Sequence, residues 1–96
     1  MRCCSKIHNS GLALARAVIA VSLSADDLDY SAAQQQTMAL ASILAAMKLG
    51  VFADDGQIKA LNDSLAGLYD AVANSQTYRP DAFQQALHRF EAKLPR

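Results

Sequence analysis

Ninety-six residues with nine basic and nine acidic side chains carry no net charge, and 52% of the chain is hydrophobic. A chain this short makes one domain, 1–96, that hides roughly 60–68% of its unfolded surface on folding, and the missing basic stripe excludes the electrostatic footprint of a nucleic-acid binder. Aromatic residues are only 6%, tryptophan is absent, and alanine, leucine and glutamine are plentiful, so residue propensities favour an all-α fold.

Residues 1–10 can form a loose N-terminal segment. Cys3 and Cys4 are neighbours in it, and adjacent cysteines close a disulfide only with strained geometry. With His8 they lack both the spacing and the fourth ligand of a zinc site, and no acylation pattern surrounds them. They read as thiols on a terminal segment in a reducing cytoplasm.

The next stretch, "LALARAVIAVSL" from Leu12 to Leu23, has the apolar character of a signal or an anchor. Arg16 argues against both, since an arginine at the centre of an inserting helix costs about 2.5–3.5 kcal/mol. The uninterrupted apolar run Ala17–Val21 is far shorter than the roughly 20 residues a bilayer span needs. The stretch reads instead as the first helix of a soluble, cytoplasmic protein. Leu14, Val18, Val21, Ala25 and Leu28 make one stripe at spacings of four, three, four and three. Leu12, Ile19 and Leu23 lie on the other side with Arg16 between them, and a helix apolar on two faces wants cover on both. We assign Leu12, Arg16, Ile19 and Leu23 to a partner or dimer interface. Leu14, Val18 and Val21 take that role if the first set belongs to the core.

Ser24-Ala25-Asp26-Asp27 has the form of a capping box, where a helix can restart; the alternative is that the first helix bends and ends around Leu23. A second helix is expected from Ser31 to Leu49, with Leu40, Ile43, Leu44, Met47 and Val51 inward, Gln34–Gln36 exposed, and Gly50 as its left-handed cap. Asp54 and Asp55 open a third helix, whose seam is Ile58, Leu61, Leu65, Leu68 and Val72. After the polar loop Asn74–Thr77, Pro80 suits the first position of a fourth helix, with Asp81 in its first turn. Phe83, Leu87, Phe90 and Leu94 form its stripe, and Pro95 ends it. The pattern predicts a small bundle of about four helices. An alanine-rich chain of this size is short of core, so a dimer is expected.

Chemistry-bearing groups are sparse. Neither Asp26, Asp27 and Asp29 nor Asp54-Asp55-Gly56 has the spacing of a calcium loop, and capping explains them. No motif pairs His88 with a nucleophile. Tyr30, Tyr69 and Tyr78 read as packing residues with solvated hydroxyls. No catalytic residue, cofactor or metal site is therefore assigned, and an enzyme is not expected. Charge is arranged along the chain, from a basic start through the aspartates near residue 27 to a basic last segment with Arg79, Arg89, Lys93 and Arg96. A solvated surface accounts for this arrangement, which can also orient a partner. The surplus of apolar helix surface places the function in protein binding. A secretion chaperone or structural adaptor subunit would use such a surface in the same way.

From its "MRCCSKIHNSGLALARAVIAV" start to its "FQQALHRFEAKLPR" end, the chain resembles the QslA-like quorum-sensing antiactivators. The resemblance implies a cytoplasmic homodimer that regulates transcription without touching DNA or membrane. It would sequester a LuxR-type regulator such as LasR by binding the regulator's ligand-binding domain and masking its dimerisation surface. No individual functional residue is carried over by it.

Overall fold

The computed structural model describes residues 2–25, 27–47 and 53–94, with residues 2–9 as backbone only. Four helices account for most of it: α1 (Arg2–Ser24), α2 (Tyr30–Ala46), α3 (Asp55–Ala71) and α4 (Pro80–Lys93). The fold is a small all-α bundle, without a strand among the described residues. Helical backbone begins at Arg2, so residues 2–10 of the expected loose segment belong to α1.

Aspartates start two of the helices. The Asp54 carboxylate accepts from the Gln57 backbone N–H at 2.7 Å while the Gln57 side chain accepts from the Asp54 N–H at 2.9 Å. This reciprocal pair satisfies two otherwise orphaned donors at the head of α3. Asp29 caps α2 with a single bond, accepting from the Ala32 N–H at 2.7 Å. The second helix is therefore opened by Asp29, not by a box at Ser24–Asp27, of which Asp26 lies outside the described residues. Helix α2 also stops at Ala46, with Met47 as an extended cap at φ −81° and ψ 149°. The expected cap Gly50 and the seam residue Val51 fall outside the described residues, as does Pro95.

Each helix packs on its neighbours in the chain, most extensively α3 with α4 and α1 with α2, and α1 closes the ring against α4. Leu12, Ile19, Leu40, Leu44, Leu61, Leu68, Phe83, Leu87 and Phe90 meet in the centre. The stripe of α4 is buried from Phe83 to Leu94, and Leu61, Leu68 and Val72 of α3 are buried against it. Ile58 and Leu65 sit half-buried at the margin.

Polar side chains fasten one end of the bundle. Tyr78 in the α3–α4 connection donates its hydroxyl to the Leu28 carbonyl in the α1–α2 connection at 2.5 Å. Gln84 of α4 donates to the Ala25 carbonyl at 3.0 Å, and Gln34 of α2 donates to the Val72 carbonyl that caps α3 at 3.3 Å. Loop carbonyls that would otherwise be orphaned thus find partners across the bundle. Tyr30 and Phe83 flank the Tyr78 ring at centroid distances of 5.7 and 6.3 Å.

Candidate interaction surface

Helix α1 is apolar nearly all round, so packing decides which side stays outside. Leu12, Ala15, Ile19 and Ser22, at spacings of three, four and three, face the core and are buried. The Ser22 hydroxyl donates back to the Val18 carbonyl at 2.9 Å, which lets a polar residue sit there. The outward side instead carries Leu14, 55% exposed, and Val21, 61% exposed.

This reverses the face expected from the sequence. Leu12 and Ile19 belong to the core, Leu23 packs half-buried against it, and Arg16 is the member of that set that is exposed. The physical reason is size. Ala15 and Ser22 are small enough to bring α1 close to its neighbours, whereas Leu14 and Val21 at those positions would hold them apart. Of the alternative stripe, Val18 and Leu28 are half-buried against the core. Leu14 and Val21 remain as the free part.

Around them the helix has little polarity. Ala13, Ala17 and Ala20 are exposed as well, between Ser10 and Ser24. Beside Leu14 the surface dips into a groove of about 540 Å³ between α1 and α2, lined by Ser10, Gly11, Leu14, Ser42, Ile43 and Met47, among others. Its floor exists because residue 11 lacks a side chain: a Cβ there would stand 2.5 Å from the Met47 Cγ. Such an apolar concavity beside exposed leucine and valine is the kind of surface that takes a helix or an apolar side chain from another molecule.

Two further concavities lie elsewhere. Met38 and Tyr69, both exposed, border a shallow one of about 250 Å³ between α2 and α3. A larger one of about 550 Å³ runs between α3 and α4, with Asp63, Arg89 and Lys93 on its walls.

No catalytic grouping emerges from these surfaces. Among the described residues no three His, Cys, Asp or Glu side chains come together as a metal site. His88 is exposed on α4, and Asp29 and Asp54 are occupied as caps. Cys3, Cys4 and His8 carry no described side chains. Tyr78 is not the solvated tyrosine expected. Burial raises its pKa above the usual value, with the nearby Asp29 and Asp27 adding to the shift. It stays a neutral donor to the Leu28 carbonyl. Tyr30 also has its hydroxyl engaged, accepting from Gln34 at 2.8 Å. No helix among the described residues is long and apolar enough to cross a membrane.

Neither the protein-family models, the curated proteins nor the solved structures compared with this chain give a match.

Proposed function

We propose that the protein is a small regulatory binding protein that sequesters a LuxR-type transcriptional regulator through the outer face of α1. In this reading it acts in the cytoplasm as a homodimer, binds the regulator's ligand-binding domain, and blocks that domain's own dimerisation. The observation that carries the reading is the exposure of Leu14 and Val21 beside the α1–α2 groove. A largely apolar strip bordered by a cleft, with Arg16 the exposed charge on the same helix, is best matched by a protein surface that is itself normally buried, and a dimerisation surface is one. The whole-chain resemblance to quorum-sensing antiactivators supplies the class of partner.

The test mixes the purified chain with the ligand-bound ligand-binding domain of a LuxR-type regulator, LasR, and follows mass by light scattering after size exclusion. The expected result is a mixed complex of fixed stoichiometry in which the regulator no longer pairs with itself. Leu14→Asp should abolish it. A regulator that stays dimeric in the presence of excess chain would overturn the assignment. Stable association with an exported or assembly protein instead would favour a secretion chaperone or structural adaptor.

A further inference from the structure

The chain carries the dipeptide Asn-Ser twice, and the fold treats the two copies differently. Asn9-Ser10 lies inside α1, whereas Asn74-Ser75 lies in the exposed turn between α3 and α4. An asparagine followed by a small residue is open to attack on its side-chain amide by the next peptide nitrogen. The attack needs that nitrogen free and the backbone able to bring it over Cγ. In α1 the Ser10 N–H belongs to the helical hydrogen-bond ladder, and the helical ψ holds the nitrogen off that path. Asn62-Asp63 is held in the same way inside α3.

None of this protection reaches Asn74. It stands beyond Val72, the C-cap of α3, and both it and Ser75 are exposed. Among the described residues nothing accepts from the Ser75 N–H. The Asn74 side chain is meanwhile folded forward: its Oδ1 accepts from the Gln76 N–H at 2.8 Å, so the amide spans the Ser75 peptide. That bond also draws electron density from Cγ and stabilises the oxyanion that forms when a nucleophile adds there. The Thr77 N–H closes the turn by donating to the Asn74 carbonyl at 3.2 Å, and Tyr78 follows directly.

We propose that Asn74 is a site of spontaneous deamidation, and that its isoaspartyl product loosens the end of the bundle that Tyr78 fastens. The Ser75 nitrogen gives its proton to solvent and bonds to Cγ, closing a five-membered succinimide. The Cγ–Nδ2 bond breaks, and ammonia leaves with a proton taken from water. Water then opens the ring at either carbonyl to give aspartate or isoaspartate, without oxidant, reductant or enzyme. Either product places a new carboxylate beside the negative end of α3. Isoaspartate also lengthens the main chain by one carbon, just ahead of the Thr77 bond and of the tie from Tyr78 to the Leu28 carbonyl. The site is independent of the α1 surface.

The test holds the purified full chain in mildly alkaline buffer at body temperature, folded or in urea. Samples taken over weeks are read by peptide mapping with fragmentation that separates aspartate from isoaspartate. In the folded chain Asn74 should convert about tenfold or more faster than Asn9, with isoaspartate the larger product. In urea the two identical dipeptides should convert at comparable rates. Ser75→Pro, which has no peptide N–H, should stop conversion at Asn74, while Ser75→Ala should preserve it. The isoaspartyl chain, separated by ion exchange, should melt below the natural one, and the deficit should shrink in a Tyr78→Phe background. Conversion no faster at Asn74 than at Asn9 in the folded chain, aspartate without isoaspartate, or conversion persisting in Ser75→Pro would overturn the proposal. So would an isoaspartyl chain that melts with the natural one.

Discussion

Met47, the residue that caps α2, lies across the bare backbone of Gly11 in α1, its Cγ standing 2.5 Å from the place a Cβ would occupy. The contact pins the C-terminal end of α2 to the middle of α1 and lines the apolar groove. Glycine at 11 and glycine at 67 are both inside helices, yet their surroundings predict opposite responses to the same substitution. At each, alanine improves helix propensity by about 1 kcal/mol. At position 11 the added carbon must displace buried Met47, and overpacking of this kind costs about 1–3 kcal/mol. Gly11→Ala should therefore lower stability, by about 1 kcal/mol after the propensity gain, whereas Gly67→Ala should raise it by about that amount. Urea unfolding of the two variants distinguishes the cases, and a rise for both would show that Met47 moves aside freely.

The two faces of α1 give a second contrast. Ile19 is fully buried, so Ile19→Asp places an unpaired carboxylate in the core. For a domain whose whole stability is on the order of 5–15 kcal/mol, that loss should unfold the chain or leave a molten state seen as lost near-ultraviolet dichroism. Val21→Asp, on the outward side, should leave the melting temperature within a few degrees and reduce association with a partner or a second copy. A folded, soluble Ile19→Asp variant would return the inner face to consideration as the interface.

Tyr78 is tied to pH in a defined direction. Its hydroxyl is a donor only while protonated, and burial together with Asp29 and Asp27 raises its pKa in the fold. The folded state then holds its proton more tightly than the unfolded state does. Its contribution is complete below the ordinary tyrosine pKa near 10 and is lost as pH rises through the folded value. Stability of the natural chain should fall more steeply above about pH 10 than that of Tyr78→Phe. At neutral pH the same substitution should cost about 1–2 kcal/mol, because the part-buried Leu28 carbonyl loses its donor. Denaturant midpoints measured from pH 7 to 11 for both proteins provide the check.

Much of this was legible where large side chains and caps repeat. Phe83, Leu87, Phe90 and Leu94 announce the inner face of α4, Pro80 its start, and Asp54 the start of α3, although its neighbour Asp55 is the first helical residue rather than a second cap and the return bond from Gln57 appeared only in the fold. The facing of α1 was not, because a count of apolar residues gives Leu14 and Val21 more weight than Ala15 and Ser22. Burial instead followed the smaller pair, whose size permits close packing. The ties from Tyr78 to Leu28 and from Gln84 to Ala25 were also hidden, since each joins positions at least fifty residues apart and depends on the finished fold. Gly67 drew no notice in the sequence, and only the empty space above it separates it from Gly11.

Ser22 offers the sharpest test of the argument from size. It is fully buried, and its hydroxyl is already satisfied by the Val18 carbonyl in its own helix. Replacing it with alanine removes a donor without stranding its acceptor, because that carbonyl can keep its helical backbone bond. Ser22→Ala should therefore change stability by less than about 1 kcal/mol, and improved helix propensity at that position favours a gain. Ser22→Leu supplies the apolar bulk that a buried position ordinarily rewards. Here it must push α1 away from its neighbours, and a loss of about 1–3 kcal/mol is expected. Thermal unfolding of the two variants should place leucine below alanine. If leucine were the more stable, the space beside Ser22 would be larger than its full burial indicates, and the outward facing of Leu14 and Val21 would need a cause other than close helix packing.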